Sequence, residues 1–336
     1  MSEKNTSIFS QKNFRRFGSI TVVVILTLIL IGGIVRTTGA GMGCPDWPKC
    51  FGQWVPPTDV SQLPSNYQAI YADRGYDSME FNATKTWIEY LNRLFGALTG
   101  LFVLITFALS FAYRKKDLLI PVLSGLTLVL ILIQAWLGAK VVSSLLSEYM
   151  ITIHLVMAIV IIKLLIFTVV RAYYLKNGKN YPLERNDMLM PLVGVVVLTL
   201  AQLILGTLVR AEIKVIAESG NIARSEWTEL ATQYLPMHKL AALVVITANL
   251  YLVYQLFQGK KNYPVLKWVG VGILLSLLLQ SVSGWLLDNV GFPGYAQAAH
   301  LLFAALMLCL QFGLLSWVAL EKYQKSEKSK LNLQYS

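Results

Sequence analysis

Residues 118–138 read LLIPVLSGLTLVLILIQAWLG, an uncharged and strongly apolar run that decides the class of fold. A helix needs about 20 such residues to cross a hydrocarbon layer about 30 Å thick. Seven further runs show the same pattern, so the sequence predicts an all-α polytopic membrane protein with eight transmembrane helices. The predicted spans are residues 17–36, 87–113, 118–141, 149–171, 188–210, 236–258, 264–287 and 294–320.

The composition agrees with this fold class. Of the 336 residues, 55% are hydrophobic and 14% are charged, and the mean hydropathy is +0.56. Ordinary soluble domains are less apolar. The first run is too long for the apolar part of a signal peptide, and no small-residue cleavage site clearly follows it, so we expect it to be a retained span.

The net charge of +11 has an uneven distribution along the chain. Most of the 29 Lys and Arg residues lie in the N-terminal tail, in the loops after the second, fourth and sixth spans, and in the C-terminal tail. With eight spans these segments share one side, and the positive-inside rule places both termini in the cytoplasm. Membrane lipid accounts for the charge, and no nucleic-acid partner is needed.

The two halves of the chain repeat each other. Equivalent residues recur at a spacing of 146, or 174 for the first helix of each half because the first outer loop is longer. The pairs are Gln134 and Gln280, His154 and His300, Asn92 and His238, and Arg36 and Arg210. We therefore expect two parallel-repeat four-helix bundles, residues 1–175 and 176–336, and bundle cores are places where cofactor sites are built.

All three histidines, His154, His238 and His300, lie near the outer ends of even-numbered spans. Ionisable residues inside a membrane usually face the bundle interior. His238 and His300 come from two helices of one bundle, which suits two axial imidazoles on a haem iron. Zinc would want four ligands, and the remaining alternative is that each histidine merely hydrogen-bonds across helices.

Basic and amide side chains lie at the same outer level. The cations could pair with haem propionates or simply extend to the interface; they are Arg36, Arg210, Arg93 and Lys239. Gln134 and Gln280 each stand four residues before a glycine, Gly138 or Gly284. The glutamines could hydrogen-bond to a flat macrocycle and the glycines could allow its close approach. The alternative is that these residues only allow close packing of the helices.

Three further residues near the outer surface carry chemistry. Glu89 lies three residues before Asn92 and on the same helical face, where it could accept a proton or be an ordinary interfacial acid. Cys44 and Cys50 belong to the run Cys-Pro-Asp-Trp-Pro-Lys-Cys in the first outer loop. A bridge between them is feasible on the outer side, and two free thiols are the alternative.

Two stretches resemble the bacterial haem A synthase family. They are the run from Gly33-Ile-Val-Arg36 to Cys50, and Trp87-Ile-Glu89-Tyr-Leu-Asn92-Arg93. The resemblance covers nearly the whole chain and implies oxidation of a methyl group of haem O to the formyl group of haem A, for terminal oxidases. Location in the bacterial cytoplasmic membrane follows, with haem O synthase and oxidase assembly factors as partners.

The resemblance also implies roles for individual residues. It makes His238 and His300 the axial ligands of a haem b, His154 a ligand of the substrate haem iron, and Glu89 the catalytic carboxylate. It links Cys44 and Cys50 with the substrate half.

The sequence departs from the family pattern at two places. Asn92 stands where a second histidine is usual, and residues 211–235 lack the second cysteine pair that some members carry. The first departure keeps open a different function, a non-catalytic membrane haem-binding or electron-transfer protein. A transporter would have helices broken near the midplane, and a prenyltransferase would need clustered aspartates; neither feature is present.

Overall fold

The computed structural model describes residues 8–178, 188–220, 222–258 and 264–334. Within these ranges eight helices are long and apolar enough to cross a membrane, which confirms the predicted fold class. We number these helices in chain order: α1 Gln11–Thr37, α2 Ala83–Ser110, α3 Leu119–Ser143, α4 Glu148–Asn177, α5 Leu189–Glu218, α6 Leu235–Phe257, α7 Pro264–Asn289 and α8 Gly294–Gln334.

Helices α1 and α2 begin before the apolar runs that predicted them. Their first turns are polar and are fixed by caps: the Ser10 side chain accepts from Asn13 N at 3.2 Å, and the Asn82 side chain accepts from Lys85 N at 3.0 Å. Such caps satisfy backbone N–H groups that have no partner within the helix. Hydropathy detects only the apolar part of a helix, so the predicted starts of these two helices were too late.

The helices form two closed rings of four. In the first ring α1 contacts α2 and α4, and α3 contacts the same two helices; α5 to α8 are arranged equivalently. Between the rings, α8 packs against α1 and α4. The expected boundary at 175 and 176 falls in the last turn of α4, and residues 179–187, which follow, lie outside the described ranges.

The two rings meet in an apolar core. Ala304, Ala305 and Leu308 of α8 join one buried cluster with Ile25 of α1 and Leu165 of α4. Small residues on α8 allow this close helix approach. Since α8 belongs to both the second ring and the interface, the rings are held in a fixed relation.

One end of the molecule carries the long loop of residues 38–82, which we call the disulfide end. This loop contains a short helix, Tyr67–Ile70, and two 3-10 turns, Val60–Gln62 and Ala72–Arg74. The segment between α5 and α6 lies at the same end and contains the short helix Trp227–Leu230. Both segments cover helix ends that carry the candidate site residues.

Candidate functional site

Each of the three histidines is contacted by a glutamine from the preceding helix. Gln134 Nε2 donates to the backbone oxygen of His154 at 3.0 Å, and Gln202 Nε2 donates to the backbone oxygen of His238 at 2.9 Å. Gln202 Nε2 also lies 3.4 Å from the ring Nε2 of His238. The third glutamine, Gln280, has its Nε2 2.9 Å from the ring Nε2 of His300. The same Gln–His arrangement is thus built three times.

A glycine one turn after each glutamine makes room for the imidazole. A Cβ added at Gly138 would lie 3.4 Å from Cε1 of His154, and one at Gly206 or Gly284 would lie 3.2 Å from the corresponding histidine carbon. Sequence reasoning found Gln134 and Gln280 but missed Gln202. Its position four residues before Gly206 was the available signal.

The fourth copy of this arrangement has lost both polar partners. By the repeat spacing, Leu28 stands in place of the glutamine and Asn92 in place of the histidine. Gly32 is retained, and a Cβ added there would meet nothing within 4 Å. The departure at Asn92 therefore involves both polar partners of one helix pair, the histidine and the glutamine, and not a single residue.

His238 and His300 form a facing pair in the second ring. Their ring centroids lie 6.3 Å apart with planes tilted by 58°. Two imidazoles bound to one metal through nitrogens about 2 Å away would have centroids about 6 Å apart. Within the described residues, no group of three or more His, Cys, Asp or Glu side chains could hold a metal ion, so the pair suits a metal that brings its own equatorial ligands, as haem does.

The hydrogen bonds of His300 fix its free nitrogen. Its Nδ1 lies 3.1 Å from the backbone oxygen of Gln280 and 3.0 Å from Ser283 Oγ. A proton on Nδ1 satisfies the carbonyl, so the lone pair is on Nε2, where it accepts from the Gln280 side-chain amide at 2.9 Å in this structure. A metal bound at Nε2 would take the place of this amide. Among the described residues, none is a hydrogen-bond partner of the buried Nδ1 atoms of His238 and His154.

The disulfide predicted as one of two alternatives is present. Cys44 and Cys50 are bonded with their Cα atoms 4.9 Å apart, and neither has any exposed surface. Around them lies an aromatic cluster from the same loop, in which Phe51 makes edge contacts with Tyr67, Tyr71, Tyr76 and Phe81. The disulfide is therefore the centre of a small packed core outside the helix rings.

Glu89 and Arg93 anchor this disulfide loop on α2. Glu89 is 3% exposed, and its Oε2 accepts from the Cys44 backbone N at 2.9 Å. Arg93 pairs with Glu89 Oε1 and also donates to the backbone oxygens of Cys44 and Lys49, both at 3.1 Å, and of Asp46. The Arg93 guanidinium, which the sequence suggested as a propionate contact, thus holds the loop in this structure.

The loop approaches α2 closely at Gly43. A Cβ added there would lie 2.5 Å from the backbone oxygen of Lys85, so only glycine fits. Thr86 Oγ1 donates to the Gly43 oxygen at 2.9 Å, and the Tyr76 hydroxyl donates to the Met42 oxygen. Burial raises the pKa of the Tyr76 phenol, as does the nearby Glu89 charge, so Tyr76 stays a neutral donor.

Three cations from the two rings converge on one acid. Arg36 Nη2 lies 2.5 Å from Glu148 Oε2, Lys214 Nζ lies 3.4 Å from Oε1, and Arg210 Nη1 lies 4.0 Å from Oε2. Both arginines were suggested from the sequence as propionate contacts, whereas Glu148 was not predicted. An excess of positive charge remains here, at the disulfide end between the two rings.

Lys239 is the fourth suggested propionate contact. Its Nζ lies 2.7 Å from Asp288 Oδ1, and about half of the Lys239 side chain is exposed. Lys239 and Arg93 therefore already have anionic or carbonyl partners. Arg36 and Arg210 share Glu148 as an anionic partner, but Arg36 Nε and Arg210 Nη1 are buried and have no hydrogen-bond partner among the described residues.

The chain matches characterised proteins over most of its length. A sequence profile of the COX15-CtaA family, described as cytochrome oxidase assembly protein, matches residues 15–312. A heme A synthase of Listeria welshimeri is 25% identical over 92% of this chain and 95% of its own length. The heme A synthase of Geobacillus thermodenitrificans is 26% identical over 92% of both chains, and that of Shewanella oneidensis is 32% identical over 45% of this chain and 43% of its own.

The family profile covers far more than half of the sequence, including both helix rings and all three histidines. This chain is therefore a member of the COX15-CtaA family of cytochrome oxidase assembly proteins.

Proposed function

We propose that this chain is a haem A synthase, a multi-pass membrane oxidoreductase that converts haem O to haem A for terminal oxidases. The family match and the heme A synthase relatives support the activity. The observation that carries the site assignment is the contrast between the rings: one has a facing histidine pair 6.3 Å apart, and the other has one histidine and a buried carboxylate.

In this proposal residues 176–336 form the cofactor half. His238 and His300 hold the iron of a haem b, with Nε2 of His300 directed by the bonds at its Nδ1. When bound, the haem supplies one-electron transfer. The polypeptide orients the two imidazoles through Gln202, Gln280 and Ser283 and shields them from water within the ring.

Residues 1–175 form the substrate half. His154 binds the iron of haem O, and Asn92, a poor iron ligand, leaves the opposite side without a protein imidazole. Glu89 is the proposed proton acceptor beside the ring methyl group. Its carboxylate is held by Cys44 N and Arg93, so the disulfide loop positions the acid and covers it from the aqueous phase.

Arg36 and Arg210 are the proposed partners of the haem propionates. Both lie at the disulfide end between the rings, with buried nitrogen atoms that have no hydrogen-bond partner among the described residues. Charge-assisted bonds to carboxylates are the strongest that such groups make. Arg36 is also paired with Glu148, but Lys239 and Arg93 are weaker candidates because Asp288 and the loop carbonyls engage them and, among the described residues, neither has a buried nitrogen atom without a hydrogen-bond partner.

The proposed setting is the bacterial cytoplasmic membrane, with both termini inside. Lipid and haem O are the immediate partners, haem O synthase supplies the substrate, and oxidase assembly factors receive the product. The positive-inside distribution of charge supports this orientation.

Haem extraction tests the function. The protein is co-expressed with a source of haem O, purified and analysed by mass spectrometry of the extracted haem. Haem A in the wild-type extract, absent from a Glu89→Ala extract that retains haem b, is the expected result. Haem b and haem O without haem A in the wild type would instead support the non-catalytic carrier, which the loss of a histidine at Asn92 favours.

A further inference from the structure

Three buried polar side chains form a triad inside the second ring. Gln311 Nε2 of α8 donates to Asn249 Oδ1 of α6 at 2.7 Å and to Thr199 Oγ1 of α5 at 3.1 Å. Gln311 and Asn249 have no exposed surface, and Thr199 is 3% exposed. Burial of these polar groups removes their hydration, and the hydrogen bonds between them have to compensate for this loss.

The triad lies directly beneath the histidine pair. Asn249 follows His238 by 11 residues, and Gln311 follows His300 by the same number. Eleven residues are about three helical turns and about 16 Å, so Asn249 and Gln311 each project from the helix face that carries the histidine. The triad therefore closes the ring on the side away from the disulfide end.

The first ring has apolar residues at every equivalent position. By the repeat spacings, Thr199 corresponds to Ile25, Asn249 to Val103 and Gln311 to Leu165. These three are 3%, 2% and 1% exposed and belong to one buried apolar cluster. The two rings thus share a backbone arrangement and differ completely in the polarity of this layer.

Hydroxyl groups elsewhere in the first ring do not make this layer polar. In the first ring Thr99 donates to the oxygen of Phe95 on its own helix at 2.8 Å. Among the described residues of that ring, one pair of hydroxyl groups joins two helices: Thr21 Oγ1 and Thr106 Oγ1 lie 2.8 Å apart. This pair lies one turn further from the histidine level than Ile25 and Val103. No polar group of these pairs lies at the level of Ile25 and Val103.

The polarity of the layer determines what can pass through it. A hydrocarbon chain inserted into the triad would separate buried donors from acceptors, and each unpaired group is costly. Apolar side chains can shift around such a chain without losing hydrogen bonds. On its outer surface the first ring also has an open apolar groove of about 320 Å³ between α3 and α4, where Tyr149 is 74% and Val160 46% exposed.

We infer that this layer selects the haem that each ring accepts. Haem O carries a long isoprenoid chain that haem b lacks. Ile25, Val103 and Leu165 admit that chain, and Thr199, Asn249 and Gln311 exclude it. The inference rests on the proposed function, because it takes the first ring as the site of haem O and the second as the site of haem b.

The test exchanges the layer in the second ring. In a His154→Ala background, where bound haem reports the second ring alone, Thr199→Ile, Asn249→Val and Gln311→Leu are combined. Protein from cells that make both haems is extracted, and the ratio of haem O to haem b is measured by mass spectrometry. We expect the ratio to rise about tenfold over the His154→Ala parent, from loss of the desolvation barrier. An unchanged ratio would overturn the inference.

The converse exchange provides a second, independent measurement. Ile25→Thr, Val103→Asn and Leu165→Gln are combined in the otherwise unchanged protein. Bound haem O should fall about tenfold while the low-spin haem of the second ring remains as an internal check of folding. Haem O binding at the wild-type level would contradict the inference. For the exchange in the second ring, Thr247→Val is the matched control. The Thr247 hydroxyl lies on the exposed side of α6 and bonds only within that helix, to the Leu243 oxygen at 2.9 Å.

These outcomes separate the inference from the proposed function. A His154→Ala parent without low-spin haem would overturn the assignment of the rings, and the selection layer with it. A parent with low-spin haem in which the exchange has no effect would leave the assignment standing and refute only the role of the triad.

Discussion

The substitution Glu89→Gln tests how the disulfide loop is held on α2. The native carboxylate accepts from two sides, from Cys44 N at 2.9 Å and from the Arg93 guanidinium. A glutamine has one acceptor oxygen, so either the Cys44 N–H or Arg93 must face its NH₂ group. The change also removes the charge that compensates Arg93, whose side chain is 13% exposed.

The cost of this change can be estimated from the contacts. Removing one partner of a buried ion pair costs about 3–5 kcal/mol. Arg93 retains the oxygens of Cys44, Asp46 and Lys49, so we expect the lower limit, about 3 kcal/mol. At about 1.4 kcal/mol per factor of ten, the population of the opened loop rises about 100-fold.

Reduction of the disulfide measures this opening. Cys44 and Cys50 have no exposed surface, so a phosphine reductant reaches the bond only when the loop opens. The rate of reduction, followed by alkylation and mass spectrometry, should therefore increase about 100-fold in Glu89→Gln. Glu80→Gln, an exposed acid of the same loop, is the control and should reduce at the wild-type rate. Equal rates for Glu89→Gln and wild type would refute the anchoring role of Glu89.

Three further outcomes are expected from spectroscopy of the bound haem. His238→Ala and His300→Ala should each abolish the low-spin haem spectrum, and His154→Ala should spare it; the opposite pattern would mean that the halves are reversed. Asn92→His should keep haem A production and shift the bound substrate haem towards a six-coordinate, low-spin spectrum in optical and paramagnetic resonance measurements; rescue of an inactive wild type by this change would instead support the carrier. Ser283→Ala should shift the reduction potential of the second-ring haem without loss of haem content, because Ser283 Oγ contacts His300 Nδ1 at 3.0 Å, and an unchanged potential in redox titration would exclude this role.

The candidate site could be predicted in part because the chain is a repeat. Shared spacing identified the histidines, Gln134 and Gln280 without any knowledge of contacts. Repeat spacing did not identify Gln202, because Leu28 stands at the equivalent position; its place four residues before Gly206 was the available signal. Arg93 shows the limit of this reasoning, because a cation at the end of an apolar helix looks the same in sequence whether it binds a ligand or the carbonyls of a folded loop.

The sequence by itself determined the eight spans, the all-helical class and the positions of the histidines. Hydrocarbon solvation acts on each helix separately, and helical periodicity fixes which face a residue occupies. Only the tertiary structure decided that Cys44 and Cys50 are joined and buried, that Glu148 gathers cations from both rings, and that Thr199, Asn249 and Gln311 meet. The two cysteines are close in the chain, but six residues of loop sequence do not determine whether they pair. The other contacts join residues that are far apart in the chain, and whether two polar side chains meet depends on helix packing, which the hydropathy of each helix does not specify.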